Sequence, residues 1–248
     1  MELHPVEGNL DIKSEIGVIL PTYCEAENIT KLINEIQRLD LKTSVLLIDD
    51  SSPDGTANLV RNLQNQYNNI LILVRPKKSG LGTAITDGFK VFLSLKNPPK
   101  YIITMDADYS HSPKDILRLV AAAEKANGMI VGSRYCPGGG AVNWSLTRLL
   151  ISRVANMMSS ALITTGIHDY TSGFRCYSTK LVRNMINDLH CETYEIQEET
   201  IRQACIKGFD VKEVPMIFIN RKKGKSKLSQ NEIKEFLSYT LNVLLSRK

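Results

Sequence analysis

The sequence predicts an α/β protein built on a mainly parallel sheet flanked by helices. Three observations carry that expectation. Short apolar runs alternate with amphipathic segments along much of the chain. Several runs stop abruptly at acidic or otherwise unusual residues. Hydrophobic residues make up 43% of the 248, ample for one large core and ordinary for one domain. The chain is therefore expected to be a single domain over 1–248, with 1–14 as a flexible lead-in.

The elements follow in order. Ile16 to Leu20 reads as a strand stopped by Pro21, and Asn28 as the cap of a helix running to about Leu39, with apolar residues at 29, 32, 33, 36 and 39. Val45 to Ile48 is a second strand, ending in Asp49 and Asp50; Ser-Ser-Pro-Asp-Gly-Thr then launches a helix to about Tyr67. Ile70 to Val74 is the third strand, and a helix after the loop 75–82 runs to about Leu95. Tyr101 to Met105 is the fourth. Ser112 and Pro113 suit the N-cap and first position of a helix to about Ala126. Met129 to Val131 is the fifth strand, and Val214 to Ile219 a later one. No repeat or low-complexity linker intervenes, only the glycine-rich loop 137–140.

Bulk properties exclude several classes. Thirty-one Lys and Arg against 26 Asp and Glu leave +5, too mild an excess to imply nucleic acid. The basic run 221–227 also lacks the interleaved aromatics of a nucleic-acid binder. Cysteines 24, 136, 176, 191 and 205 form no CxxC pair and no metal-ligand spacing, and their odd number argues for a reducing compartment. The N-terminus has three acids before residue 12 and no basic or apolar region of a signal peptide. No apolar run reaches the roughly 18 residues a membrane span needs.

The stretch YIITMDADYSHSP, 101–113, carries the chemistry. A buried strand ends there at Asp106 and Asp108, whose side chains share one side if the extended geometry continues. Two such anions repel unless a cation lies between them. They are either a solvated turn, with Asp108 or Ser112 capping the next helix, or a divalent metal site. Ligands of open parallel sheets bind beyond the carboxyl ends of the strands. Here those ends carry 21–25, Asp49-Asp50, Asp106-Ala107-Asp108 and Gly132-Ser133-Arg134, a set of acids and an arginine that points to a binding site. There is no GxGxxG after the first strand and no GxxxxGK[ST], and Gly80-Leu81-Gly82 is too short to replace them. A bound diphosphate would have to be neutralised by metal and side chains.

PTYCEAENI, DDSSPDGT, KSGLGTA, MDADYSH, GSRY followed by GGG and Trp144, DYTSGFRCY and EVPMIFINRKKGKSKL occur in the order seen in the dolichol-phosphate mannosyltransferase family, over about 16–230. The resemblance implies a GT-A fold and an inverting transfer of mannose from GDP-mannose to dolichyl phosphate with Mg²⁺ or Mn²⁺. The product would serve N-glycosylation, GPI anchor synthesis and protein mannosylation. By resemblance Asp106 and Asp108 bind the metal and Ala107 lies against the donor. Some relatives complete the metal shell with a Gln two residues after the second Asp; Ser110 stands there and is a weaker ligand. Pro21, Tyr23, Glu25, Ile48 and Asp50 are implied contacts of base and ribose, while helix N-terminal charge placement is the plainer account of Glu27 and competes for Glu25. Asp49, Ser51 and Ser52 are assigned to shaping the turn. Arg134, Arg221 and Lys227 are implied phosphate or donor contacts, suited by cationic forks and points.

A phosphate acceptor is already an anion near neutral pH, so it needs no general base, and His111 and His168 are assigned to structure. It does need a cation, and Arg148 is chosen. Arg148 lies in an apolar but interrupted stretch, taken as an interfacial helix over 141–165. Ser145, Arg148, Ser152, Asn156 and Ser159 trace one polar stripe there. Placement in the bilayer interface, with Arg148 towards the lipid phosphate, is preferred to burial in the core. Arg153, off the stripe, suits a lipid headgroup. An amphipathic C-terminal helix over 230–248 would either pack on the domain or dock on small membrane-anchoring subunits. The expected location is the cytosolic face of the endoplasmic reticulum, as a peripheral protein. The competing functions are a dolichyl-phosphate glucosyltransferase using UDP-glucose and a non-catalytic nucleotide-sugar-binding subunit; the intact acid pair argues against the second.

Overall fold

The computed structural model describes residues 5–163 and 166–220. In chain order the strands are β1 (Val6–Glu7), β2 (Ile16–Thr22), β3 (Thr43–Asp49), β4 (Ile70–Val74), β5 (Tyr101–Thr104), β6 (Gly128–Ser133), β7 (Gly140–Val142), β8 (Arg175–Ser178), β9 (Asp210–Pro215) and β10 (Ile217–Ile219). The helices are α1 (Ala26–Gln37), α2 (Thr56–Gln64), α3 (Leu81–Ser94), α4 (Asp115–Ala123), α5 (Leu146–Leu162), α6 (Thr179–Met185) and α7 (Ile196–Ile206), with a 3₁₀ turn at Ile186–Asp188. The main sheet has the order β1-β4-β3-β2-β5-β8-β6-β9, and β7 and β10 form a separate two-stranded ribbon.

The central strands are apolar almost throughout because both faces of the sheet are covered. Successive side chains alternate between two layers. Ile19, Leu46, Ile48, Leu71 and Ile102 pack with α3, α6 and α7. Val18, Leu20, Val45, Leu47 and Ile103 pack with α1, α2 and α4. The α/β expectation is met. Strands β2, β3, β4 and β5 run parallel, as do β6 and β9, while β8 lies antiparallel between β5 and β6.

Five boundaries differ from the sequence reading, the first being α4, which begins at Asp115 after Lys114 and not at Ser112 and Pro113. The lead-in is anchored rather than loose at Val6–Glu7, which pairs antiparallel with Leu73 and Ile72, and Arg61 grips Glu7 at 2.7 Å. Helix α1 starts at Ala26, ahead of Asn28, because its first amide is capped from another loop: Ala26 N–H donates to Asp54 Oδ2 at 3.0 Å. The segment 141–165 divides into β7 and α5, and Ser145 caps α5 by accepting from Arg148 N–H at 3.2 Å. The single strand expected at 214–219 is two strands. Met216 hands the chain over, donating to Ser133 O at 2.9 Å in one sheet and accepting from Gly140 N–H at 3.0 Å in the other. The expected helix 230–248 lies outside the described residues.

Candidate active site

Strand order turns at β2: the chain steps outward through β3 and β4, then crosses to β5 on the other side. The carboxyl ends of β3, β2 and β5 therefore open one crevice. It is lined by Pro21, Thr22, Tyr23, Glu25, Ile48, Asp50, Lys78, Gly80, Leu81, Ala84, Asp106, Ala107, Asp108 and Tyr194. Eight residues expected to meet donor or metal thus share one cleft.

The loops leaving these strands each pass through a non-glycine residue with positive φ: Cys24 at 57°, Ser51 at 52° and Tyr109 at 64°. Such conformations are costly and persist where neighbours enforce them. Asp49 supplies part of that enforcement. Its Oδ1 accepts from the hydroxyls of Thr22 (2.9 Å) and Ser52 (2.6 Å), and its Oδ2 from Ser52 N–H at 2.9 Å. Ser52 Oγ in turn accepts from Cys24 N–H at 2.9 Å, and Ser51 Oγ donates to Arg75 O at 2.6 Å. These three residues shape the turn, as the sequence suggested.

Asp50 is held by Arg75, a buried residue that sequence reading passed over. Arg75 Nε donates to Asp50 Oδ1 at 2.6 Å, and its other nitrogens reach Thr83 Oγ1 at 2.8 Å and Gly80 O at 3.1 Å. The glycines there have a packing reason. A Cβ on Gly82 would lie 2.2 Å from Cys191 O, so the loop can pass only without side chains. That close passage brings the 191–194 segment, and with it Tyr194, to the cleft wall.

Asp106 and Asp108 flank the buried methyl of Ala107. Ser110 donates to Asp108 Oδ1 through its N–H at 3.0 Å and also through its hydroxyl, fixing that carboxylate. Thus Asp108 does stand in a tight turn, and α4 begins later, at Asp115. Asp106 N–H donates to His111 Nδ1 at 3.3 Å, which leaves the ring proton on Nε2, 3.9 Å from Asp106 Oδ2. Burial outweighs the nearby Asp106 and Asp108 charges and pushes the His111 pKa down, so this ring is neutral, stacked on Phe174 at 5.0 Å. Gly173 backs Asp106: a Cβ there would sit 3.3 Å from Oδ1.

Among the described residues the cleft lining contains Glu25, Asp50, Asp106 and Asp108 together with Lys78, and Arg75 pairs with Asp50 from behind the wall. The neighbouring Asp106 and Asp108 carboxylates are the oxygen donors a hard divalent ion takes. Among the described residues no three His, Cys, Asp or Glu side chains form a ready metal cage. A pair of carboxylates suits an Mg²⁺-type ion, which keeps water and phosphate oxygens in its shell.

Arg134 does not line the cleft. Its Nε and Nη2 each meet Asp169 at 2.7 Å, and Nη2 also reaches Thr171 Oγ1 at 2.6 Å. Burial would raise the Asp169 carboxyl, but the Arg134 charge and hydrogen bonds outweigh it and hold the pKa below the usual carboxylate range. Asp169 belongs to the DYTSGFRCY segment, whose pattern gave no sign of this partner 35 residues away. Arg221 and Lys227 lie outside the described residues.

Arg148 stands on the first turn of α5, stacked over Trp144 at 4.2 Å, with Nη1 donating to Asn220 Oδ1 at 3.0 Å. The stripe expected on α5 exists, and it points inward. Ser152 Oγ meets Tyr135 Oη at 2.7 Å, and buried Asn156 accepts from Tyr170 N–H at 2.6 Å and donates to Thr171 Oγ1 at 3.1 Å. The apolar side faces out: Leu146 is 84% and Met157 65% exposed, with Leu150, Ile151 and Val154 between them. A backbone link joins the two regions, since Ile219 N–H donates to Ser110 O at 3.1 Å one residue before Asn220.

The family model for glycosyl transferase family 2 matches residues 17–186, the span that carries every residue lining this cleft except Tyr194. The chain belongs to that family. Among curated relatives it is 36% identical over 220 residues to a polyprenol monophosphomannose synthase of Mycolicibacterium smegmatis, covering 88% of this chain and 82% of that protein. It is 31% identical over 212 residues to an undecaprenyl-phosphate mannosyltransferase of Micrococcus luteus, covering 85% and 86%. A glucosyl-3-phosphoglycerate synthase from Mycobacterium tuberculosis, solved with Mn²⁺, UDP and phosphoglyceric acid, superposes with a TM-score of 0.68 at 16% identity, over 96% of this chain and 80% of that one. A mannosyltransferase from Pyrobaculum calidifontis, solved with GDP-Man and Mn²⁺, gives 0.62 at 14% identity, over 97% and 68%. These structures establish the GT-A type fold expected from the sequence.

Proposed function

We propose that this glycosyltransferase moves mannose from GDP-mannose to a polyprenyl phosphate, with inversion and with Mg²⁺ or Mn²⁺ bound. The observation that supports the reading best is the pair Asp106 and Asp108, spaced by the buried Ala107 and lining the same cleft as Pro21, Tyr23, Glu25, Ile48 and Asp50. A diphosphate enters such a place only with a cation, and Asp106 and Asp108 are the residues that would hold it. The ion would supply Lewis-acid compensation for charge on the departing diphosphate. Pro21, Tyr23, Glu25, Ile48 and Asp50 would hold the nucleoside, with Asp50 kept in place by Arg75. Arg221 and Lys227 are assigned to the donor phosphates, as the resemblance implies. Arg134, with two nitrogens on Asp169, acts in this reading mainly by positioning the loop around it.

Arg148 receives the acceptor phosphate, and the outward apolar face of α5 seats in the membrane that holds the lipid. Among the described residues no helix is long and apolar enough to cross a membrane. The acceptor oxygen is anionic and attacks C1 without a base. The printed names of the two curated relatives, one a polyprenol and one an undecaprenyl-phosphate enzyme, support mannose and a polyprenyl phosphate. Dolichyl phosphate, the cytosolic face of the endoplasmic reticulum, small anchoring subunits and supply of N-glycosylation, GPI anchor synthesis and protein mannosylation complete the reading through motif resemblance.

A transfer assay with GDP-mannose, a short polyprenyl phosphate and Mg²⁺ or Mn²⁺ tests it. Asp108→Asn should lower kcat about 10²–10³-fold, the size expected for loss of a charge-stabilising group. Chelation should stop the parent. Turnover that survives chelation, or a preference for UDP-glucose in direct competition, contradicts the proposal.

A further inference from the structure

A second apolar surface stands beside Arg148, on the ribbon. In β10, Phe218 turns inward onto His111 at 5.5 Å and Trp144 at 5.3 Å. Strand alternation then forces Ile217 and Ile219 outward. Ile219 is in register with Val142 of β7, and these three side chains are 44–46% exposed. Proteins in water blunt such short edges with charge or polarity.

The sequence segments that carry the ribbon and α5 have charges of one sign. From Tyr135 to His168 the sequence contains no Asp or Glu and has Arg148 and Arg153; from Val214 to Gln230 it again contains no acid and has five Lys and Arg. Ribbon and helix meet at Arg148 through Asn220, whose N–H also donates to Val142 O at 3.0 Å.

We infer that the outward face of the β7–β10 ribbon, formed by Val142, Ile217 and Ile219, is a second membrane-contacting surface that enters an anionic bilayer alongside α5. The inference rests on the lipid-phosphate reading of the acceptor. The apolar face matches acyl chains, Arg148 and Arg153 of the neighbouring α5 match anionic headgroups, and the surface continues that of α5. One helix lying in an interface can roll about its axis. Adding the ribbon fixes that rotation and holds Arg148 at headgroup depth, facing the phosphate it must receive.

Co-flotation of the full chain with phosphatidylcholine vesicles, with and without phosphatidylserine, tests this. Ile217→Thr with Ile219→Thr keeps β-branching while removing apolar surface. The pair should lower partition into the anionic vesicles by about tenfold, in line with one or two methylene equivalents. Turnover with a short acceptor dispersed in detergent should stay unchanged. Val142→Thr, on the other strand, should lower partition in the same direction and guards against misfolding of the first variant. Unchanged partition in both overturns the inference. So does a parent that is dimeric and becomes monomeric in the variants, because a second copy then covers the ribbon. Failure of the parent to transfer mannose strikes the proposed function and leaves the vesicle result standing.

Discussion

Helices α1 and α5 are both amphipathic and both lie at the surface, yet they are turned in opposite senses. In α1, Ile29, Leu32, Ile33 and Ile36 are buried and Glu27 and Lys31 face out. In α5, Asn156 and Ser159 are buried and Leu146, Leu150 and Met157 face out. The polar atoms of α5 can afford that position because each meets a partner inside, as buried polar groups must. The difference teaches that outside means two media for this molecule. Beside α1 it is water; beside α5, in the reading proposed above, it is the membrane that takes the exposed Leu146, Leu150 and Met157.

The same deletion made on both helices should separate them most sharply. Ile33→Ala should cost about 2–5 kcal/mol of stability, as cavity-forming changes do. Leu150→Ala should stay within about 0.5 kcal/mol in urea unfolding, as exposed positions do, while reducing vesicle partition. Equal destabilisation would break the comparison. Next in size, Asn156→Leu removes the acceptor of Tyr170 N–H and should cost about 1–3 kcal/mol through an unsatisfied buried donor. A neutral or stabilising result in thermal denaturation would mean that the inward stripe contributes nothing.

The smallest effect concerns how each helix begins. α5 is capped by its own Ser145, whereas α1 borrows Asp54 from the loop after β3. Asp54→Ala should cost about 1 kcal/mol, the usual worth of an N-cap. Burial pushes the Asp54 carboxyl up, but hydrogen bonds from Thr56 and Ala26 outweigh it and hold the pKa below its ordinary value. The stabilisation is therefore complete above roughly pH 4, the unfolded value, and is lost as pH falls through the lower folded value. Parent and variant should converge in stability on acidification; a gap that persists unchanged to low pH would exclude this role.

The parts legible in the sequence were those whose cause is local. Five of the strands are read from runs such as Val45 to Ile48 because burial on both faces leaves little polar interruption. The shared cleft position of Pro21, Tyr23, Glu25, Ile48, Asp50, Asp106 and Asp108 is legible because they lie at or just after the ends of such runs. Strand β8 is not: its four residues sit antiparallel between β5 and β6 by pairings set elsewhere in the chain. Arg75 and Asp169 are hidden for the same reason, since their partners are 25 and 35 residues away. The stripe on α5 is visible as a pattern, but a pattern has no inside. Its direction emerges only once Tyr135, Tyr170 and Thr171 are in place around it.

The central claim is that donor and acceptor meet from two differently charged sides, an acidic cleft and a cationic apolar surface with Arg148 at its edge. Steady-state kinetics of Arg148→Ala against the parent, varying GDP-mannose and polyprenyl phosphate separately, test it most directly. The account predicts a rise of about 10–100-fold in KM for the lipid, the worth of a charge-assisted hydrogen bond, with KM for GDP-mannose nearly unchanged. Equal rises for both substrates, or a rise for the nucleotide sugar alone, would contradict it.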